Sequence, residues 1–98
     1  MYPLDVDAVG SAATRAVASE AVLPGGVITH VGLGDGDGGL DIRRMTLQEI
    51  TFIGTYTYTS QDFCDAAEAL FEGRLGSINW FDTRPLSEGW QAFKDIRA

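Results

Sequence analysis

The chain has 98 residues and a mass of 10.5 kDa, which is enough for one small hydrophobic core and argues against a second domain. Fourteen acidic and seven basic residues give a net charge of −7 and an isoelectric point near 4.3. This excess of negative charge repels phosphate backbones and anionic lipid surfaces, so we expect neither nucleic acid nor a membrane as partner.

The cysteine content and the hydropathy pattern predict a cytoplasmic protein. Cys64 is the only cysteine, so no intramolecular disulfide can form, and one cysteine with one histidine cannot build a Cys/His zinc site. No run approaches the ~18 apolar residues that a membrane span requires. The first fifteen residues carry acidic groups instead of the basic region of a signal peptide.

The first third of the chain has the pattern of a strand, a helix and a second strand. Apolar residues alternate over residues 4–9, which predicts a short strand. An alanine-rich run follows, with Ser11 as its N-cap and the Pro-Gly-Gly sequence at 24–26 as its end, and this predicts a helix. The β-branched run at 27–32 is typical of a buried strand in a parallel sheet. Together these segments predict a βαβ unit.

The remainder of the chain predicts a loop and several further elements. The glycine-rich segment GLGDGDGGLD at 32–41 is expected to be a loop, and residues 40–47 fit either a helical turn or extended chain. Residues 49–58 predict one long strand, bent at Gly54. A second helix is predicted to begin with a capping box at Thr59, Ser60 and Asp62, and its apolar residues at 63, 66, 67, 70 and 71 form a face that needs a sheet to cover. A short strand is predicted over 78–84, followed by a last helix capped by Ser87.

Three glycines, Gly34, Gly36 and Gly39, match the GxGxxG motif of a dinucleotide-binding turn, but the surrounding residues do not suit a pyrophosphate. Asp35 and Asp37 would place negative charge inside the loop, and no helix follows at once to supply free amides. We therefore interpret this segment as a flexible acidic surface turn.

The same aspartates, with Asp41, raise the alternative of a calcium site. An EF-hand loop counted from Asp35 would need a glycine at its sixth position and a glutamate at its twelfth, where this chain has Leu40 and Thr46. The template is not met, which leaves only a weak cation site as an alternative to a solvated turn.

His30 stands near the carboxyl end of a central predicted strand, the place where open α/β sheets bind ligands. No nucleophile or carboxylate is fixed beside it by sequence, so a structural role is the stronger interpretation. Cys64 is expected to be a small core or boundary side chain. An aromatic cluster near the end of the chain is expected to belong to the core, and it comprises Trp80, Phe81, Trp90 and Phe93.

The order of several segments resembles the zinc-type alcohol and polyol dehydrogenases of the medium-chain dehydrogenase/reductase superfamily. The segments are DAVGSAATRA, PGGVITHVGLGDG, LQEITFIGTYTYTSQDF, EALFEGRL and TRPLSEGWQAFKDI, which together cover nearly the whole chain. The resemblance implies an α/β fold: a partial Rossmann-like parallel sheet with flanking helices, the second half of a doubly wound nucleotide-binding domain. It also implies that residues 78–98 are the return into the catalytic domain.

The resemblance implies backbone roles around NAD(P) for three segments. Val9 and Gly10 are similar to the turn that passes beside the adenosine half of the cofactor. The segment that flanks the nicotinamide ribose and ring corresponds to His30, Val31, Gly32 and Leu33, and the segment that hydrogen-bonds the carboxamide corresponds to Thr55, Tyr56 and Thr57. Residues 49–58 resemble the edge strand through which family members dimerise, which implies a homo-oligomer.

The chain departs from the family where the phosphate-binding turn, the zinc ligands and the proton relay would lie, because those parts of the family are absent here. The leading hypothesis is therefore a fragment or truncated form of such a dehydrogenase, which supplies the nicotinamide-side wall and the dimer edge for hydride transfer to NAD(P). Zinc belongs to the parent family but has no ligands in this chain. The alternatives are a non-enzymatic dimerising α/β module, with or without a weak cation site in the acidic loop, and a chain without an independent function.

Overall fold

The computed structural model describes residues 1–97, which form two compact units, residues 1–58 and 59–97. The first unit is a three-stranded open sheet with helices between its strands. Its elements are β1 (Tyr2–Asp7), α1 (Ala12–Ala21), β2 (Val22–His30), α2 (Ile42–Leu47) and β3 (Thr51–Gly54). The strands lie in the order β1-β2-β3, and both neighbouring pairs are parallel. The expected mixed α/β class with a parallel open sheet and flanking helices is confirmed, and the arrangement is consistent with part of a Rossmann-like sheet.

Helix α1 begins at the predicted cap. The Ser11 hydroxyl accepts a hydrogen bond from the Thr14 amide, and the Thr14 hydroxyl accepts one from the Ser11 amide, so two otherwise unpaired helix-end donors are satisfied. The face that the helix buries carries Arg15, Ala18 and Ser19, whereas Val17 is exposed. The helix therefore packs through the small residues Ala18 and Ser19, and Arg15 also lies inside the fold.

Strand β2 starts earlier than predicted, directly after α1, and the Pro-Gly-Gly sequence at 24–26 lies within it. The register with β1 is irregular there: Tyr2 pairs with Val22, whereas Leu4 pairs with Val27. The extra residues of β2 interrupt the regular pairing at the start of the strand, and Pro and Gly are tolerated in strands at such irregular positions. The predicted end at residue 32 was also wrong, since the strand ends at His30.

Strand β3 is much shorter than the predicted span of 49–58, which was wrong at both ends. Only Thr51–Gly54 pairs with β2, from Val27 opposite Thr51 to His30 opposite Gly54. Beyond Gly54 the partner strand has ended, so the β-forming residues that follow have no ladder to join, and Thr57 has a left-handed φ of 53°. Residues 40–47, which fitted either a helical turn or extended chain, contain the helix α2, whose N-cap is Asp41.

The core of the first unit is small and lies between α1 and the sheet. Ala18, Val22 and Ile28 are fully buried, and Ile50 and Phe52 pack against them. Because Ile28 is on the middle strand, it is covered by α1 and flanked by both neighbouring strands. This cluster fixes the sheet beneath the loops that leave its carboxyl edge.

The second unit contains two helices, α3 (Ser60–Phe71) and α4 (Gly89–Ile96). The predicted capping box of α3 is confirmed, with Thr59 as the N-cap and Asp62 as its reciprocal partner. The predicted strand over 78–84 was wrong, since these residues form no strand; strand formers need a neighbouring strand to pair with. Ser87 lies in a 3-10 turn, Leu86–Glu88, before α4 and is not its cap.

Apolar side chains of the second unit are exposed, and among residues 59–97 none is buried. The predicted aromatic core was wrong: Trp80, Phe81, Trp90 and Phe93 are exposed, as is Cys64. The apolar face of α3 is not covered either, since Phe71 is 84% exposed. Among the helices described here, none has the length and apolar character needed to cross a bilayer.

Candidate functional site at the carboxyl ends of the strands

The backbone segments that leave β1 and β2 are hydrogen-bonded to each other at the carboxyl edge of the sheet. The amides of Val31 and Gly32 donate to the Asp7 carbonyl at 2.9 and 3.1 Å. Further along, the Asp35 amide donates to the Gly10 carbonyl at 2.8 Å. These bonds hold the first part of the glycine-rich loop beside the turn that follows β1.

Two glycines allow this close approach. A Cβ on Gly10 would lie 2.2 Å from the Gly32 carbonyl oxygen, and a Cβ on Gly32 would lie 2.2 Å from the Val9 carbonyl carbon. Gly10 also has a φ of +74°, which side chains disfavour. The crossing of the two backbone segments therefore requires glycine on both sides.

Asp7 organises the turn after β1 from a buried position. Its carboxylate accepts hydrogen bonds from the Gly10 amide at 2.8 Å, the Val9 amide at 3.1 Å and the Thr14 hydroxyl at 2.9 Å. Burial by itself would raise the pKa of Asp7, but these three hydrogen bonds and the nearby His30 outweigh it, so the pKa lies below its ordinary value. The carboxylate is therefore held in its charged, acceptor-only form.

Arg15 projects from α1 into the loop that follows β2, and its guanidinium is buried. Its Nε donates to the Gly38 carbonyl at 2.7 Å, and its Nη1 donates to the carbonyls of Gly10 and Asp35 at 3.1 and 3.0 Å. Its Nη2 donates to the Asp37 carbonyl at 2.8 Å and forms a short ion pair with the Asp35 carboxylate. All five N–H groups of the guanidinium thus have an acceptor.

His30 ends the middle strand and lies between groups of opposite charge. Its Nε2 is 3.4 Å from Arg15 Nη1 and 3.7 Å from Asp7 Oδ2. Its ring packs on Phe52 of β3, with ring centroids 5.3 Å apart and an angle of 40° between the planes. The histidine is therefore held in place from α1, β1 and β3 together.

A cavity of about 650 Å³ opens at this edge of the sheet. His30 and Phe52 form its floor, the glycine-rich loop forms one wall, and Arg15 with Asp35 provides its polar side. Leu40 and Ile42 contribute an apolar side near the start of α2. A cavity with apolar walls and a few convergent polar groups suits binding of a small molecule.

The structure brings together some of the residues to which the sequence pointed. The cavity is lined by His30, Gly32 and Leu33, and the turn at Val9 and Gly10 lies behind the loop. Residues 55–57 do not line it, although the Thr55 amide donates to the His30 carbonyl at 2.9 Å and so attaches the start of that segment to the edge. Val31 joins β1 through its amide and is not among the lining residues.

Sequence reasoning missed Asp7 and Arg15, which hold this edge together. A detectable signal for Asp7 was its place at the end of an apolar strand, three residues before a glycine, where a carboxylate can accept from the turn amides. Arg15 is the one basic residue in an otherwise small and apolar stretch of helix. A basic residue there indicates either solvent exposure or a specific buried partner, and only the fold distinguishes the two.

Carboxylates of the acidic loop already bind groups of the same chain. Arg15 pairs with the Asp35 carboxylate, which also accepts from the Ala12 amide, and the hydrogen bond from Arg15 holds the pKa of Asp35 below its ordinary value. The Asp41 carboxylate accepts from the Arg44 amide as the cap of α2. Two of the three carboxylates considered for a cation are therefore already engaged, and no cluster of three metal-ligating side chains occurs among residues 1–97.

The arrangement supports binding and positioning. Within residues 1–97, the polar side chains that contact the His30 ring are the Arg15 guanidinium and the Asp7 carboxylate, and neither is a nucleophile. A scan of the sequence against protein-family models finds no match, and a search of the curated proteins finds no match either. The geometry of this edge and the resemblance of the motifs therefore carry the functional argument.

Proposed function

We propose that this chain is the second half of the cofactor-binding domain of a zinc-type alcohol or polyol dehydrogenase, and that it contributes the wall beside the nicotinamide of NAD(P). The observation that carries the proposal is the parallel sheet in the order β1-β2-β3, with the segments after β1 and β2 interlocked at its carboxyl edge. In open α/β sheets this edge is the place where ligands bind.

The residues at the edge suit the nicotinamide end of such a cofactor. Gly32 has no side chain to obstruct a ring, and Leu33, which is 80% exposed, offers an apolar surface beside it. The amides of Leu33, Tyr56 and Thr57 donate none of the hydrogen bonds described for residues 1–97, so they are available to a carboxamide or a ribose hydroxyl. When bound, NAD(P) supplies hydride acceptance, and these backbone groups orient it.

The same loop cannot hold the pyrophosphate. The amides of Gly34 and Asp35 already donate hydrogen bonds to the carbonyls of Val9 and Gly10. The loop also carries carboxylates that repel phosphate. Affinity for the phosphates must therefore come from the first half of the domain, and this chain by itself should bind NAD(P) weakly.

Zinc does not fit this chain. Metal-ligating side chains do not gather in groups of three anywhere in the described range, so the metal of the parent family has no ligand set here. A complete enzyme would have to supply it from elsewhere, and the role proposed for this chain needs no metal.

The proposal is tested by NADH fluorescence, with this chain titrated alone and after mixing with a separately expressed first half of a polyol dehydrogenase cofactor domain. We expect no submicromolar binding by the chain alone and binding by the mixture that neither half shows. Leu33→Asp should abolish the gain, whereas Leu47→Asp, at an exposed leucine of α2 outside the cavity, should preserve it. Submicromolar binding by the chain alone, or a mixture that binds no better than its parts, would contradict the proposal.

A second candidate function is a dimerising module that pairs through the segment 49–58. It is favoured by the position of β3 at the edge of the sheet, where the outer side of Thr51–Gly54 lacks a strand partner within the described chain and Ile53 is 47% exposed. Thr55→Lys should convert a dimer to monomers in analytical sedimentation if this edge is the interface. An unchanged sedimentation coefficient would remove the candidate, and calorimetric silence at millimolar calcium would remove its cation-binding version.

A further inference from the structure

The glycine-rich loop at 34–39 is held to the fold chiefly through a single side chain. Arg15 donates to the carbonyls of Asp35, Asp37 and Gly38 and pairs with the Asp35 carboxylate, so four of its six polar contacts are with the loop. The other two, with the Gly10 carbonyl and His30 Nε2, join the same guanidinium to the turn after β1 and to the end of β2. The Gly34 and Asp35 amides add two backbone hydrogen bonds to that turn.

The composition of the loop makes this attachment necessary. Four of its six residues are glycines, which lose the most conformational freedom on ordering, and Gly38 and Gly39 have φ values of +75° and +92°. Residues 34–39 carry no apolar side chain to bury. Its order therefore depends on hydrogen bonds from outside it.

Arginine is the side chain that can do this. Its planar group presents five donors in a fixed arrangement, whereas lysine presents three donors at one point. The guanidinium is also inside the fold, with a side chain only 6% exposed, while the Asp35 side chain is 50% exposed. One end of the attachment is therefore fixed and the other end can be released to water.

We propose that Arg15 is a strap that holds the glycine-rich loop as a movable wall of the 650 Å³ cavity, with the Asp35 carboxylate as its releasable end. Release of the Asp35 carboxylate removes the ion pair and loosens the loop side of the cavity, next to its half-buried apolar lining at Leu40 and Phe52. The sheet is unaffected, since its core does not include the loop. This inference goes beyond the proposed function because it requires no cofactor.

The test is amide hydrogen exchange of the full chain by NMR, read at Gly34 and Asp35, whose amides donate at 3.2 and 2.8 Å to the carbonyls of Val9 and Gly10. Asp35→Asn removes the charge of the releasable end, and exchange at Gly34, corrected for intrinsic rates, should become about three- to tenfold faster. The amide of Ile28, in the middle of the sheet, should exchange as before.

Asp37→Asn is the matched control, because Asp37 contributes only its carbonyl to the strap, and it should leave exchange at Gly34 unchanged. Arg15→Lys should accelerate loop exchange more than Asp35→Asn does. Equal exchange at Gly34 in the two aspartate variants would overturn the proposal. Equal acceleration at Gly34 and Ile28 would also overturn it, because the loop would then open only when the whole sheet unfolds.

Discussion

Residues 1–58 and residues 59–97 carry similar local signals and differ in burial. The first unit buries Ala18, Val22 and Ile28 between a helix and a parallel sheet. The second unit has two amphipathic helices, yet none of its described residues is buried, and Trp90 is 73% exposed. Both units contain a helix that begins with a complete capping box.

The difference shows that capping and periodicity define helices, whereas a core requires a second layer. Helix α1 has a sheet to cover, and its small residues lie against that sheet. Helix α3 is longer and equally well capped, but its apolar face stays exposed. Burial of apolar surface contributes most of the favourable folding energy, so stability should reside in the first unit.

The largest expected effect comes from the core of the sheet. Ile28→Ala removes a fully buried side chain and should lower the free energy of unfolding by about 2–5 kcal/mol. Ile96→Ala, at a residue of α4 that is 80% exposed, should change it by no more than about 0.5 kcal/mol. Urea unfolding followed by circular dichroism measures both. Equal losses of free energy would contradict the difference in burial between Ile28 and Ile96.

Gly10 and Gly73 have similar positive φ angles in the two units but different surroundings. Gly10→Ala puts a Cβ 2.2 Å from the Gly32 carbonyl oxygen at a φ of +74°, and should cost about 2–3 kcal/mol. Gly73→Ala has a similar φ of +72° but open space around it, so it should cost only about 1 kcal/mol. Thermal unfolding of the two variants gives the comparison, and an equal cost would mean that backbone strain alone matters at Gly10.

Acid should destabilise the first unit through Asp7. The folded pKa of Asp7 is lowered, so the stability it contributes is complete above its unfolded pKa and is lost as pH falls through the folded pKa, below about pH 4. The midpoint of urea unfolding should therefore fall over that range. Asp7→Asn should weaken the pH dependence and lower stability at pH 7 by about 1–3 kcal/mol. Asp5→Asn on the same strand is the control, and an Asp7→Asn variant with the wild-type acid transition would contradict the assignment.

The smallest expected effect comes from the two caps. Ser11→Ala should lower the free energy of unfolding by about 1 kcal/mol, because α1 covers the core. Thr59→Ala removes an equivalent cap from α3 and should reduce helical circular dichroism without moving the main unfolding transition. A shift of that transition by Thr59→Ala as large as that by Ser11→Ala would show that the two units unfold together.

Local signals predicted much of the fold from the sequence. Ser11 and Thr59 begin helices as expected, since a cap acts on amides only three residues away. Strand ends were less predictable, because they depend on where the partner strand stops, and β3 ends at Gly54 opposite His30 although strand-forming residues continue. Burial was least predictable, as Trp80 and Phe81 show, because apolar character indicates a core only where a second layer lies over it.

The candidate site was predictable in place and not in detail. The carboxyl edge of the sheet and the position of His30 there follow from strand order, which the sequence pattern indicated. The partners of His30 depend on side chains far apart in sequence: Arg15 lies 15 residues before it and reaches Asp35 across 20 residues. Single-sequence patterns describe near neighbours and cannot reveal such contacts.

The central claim is that three consecutive segments form one parallel sheet, on which the cofactor proposal depends. Nuclear Overhauser contacts of the full chain test it directly at the two strand pairs. A parallel sheet requires contacts between Val6 and Thr29 and between Ile28 and Phe52, with weak contacts between opposing Hα protons. Strong Hα–Hα contacts across either pair would show antiparallel strands and would contradict it.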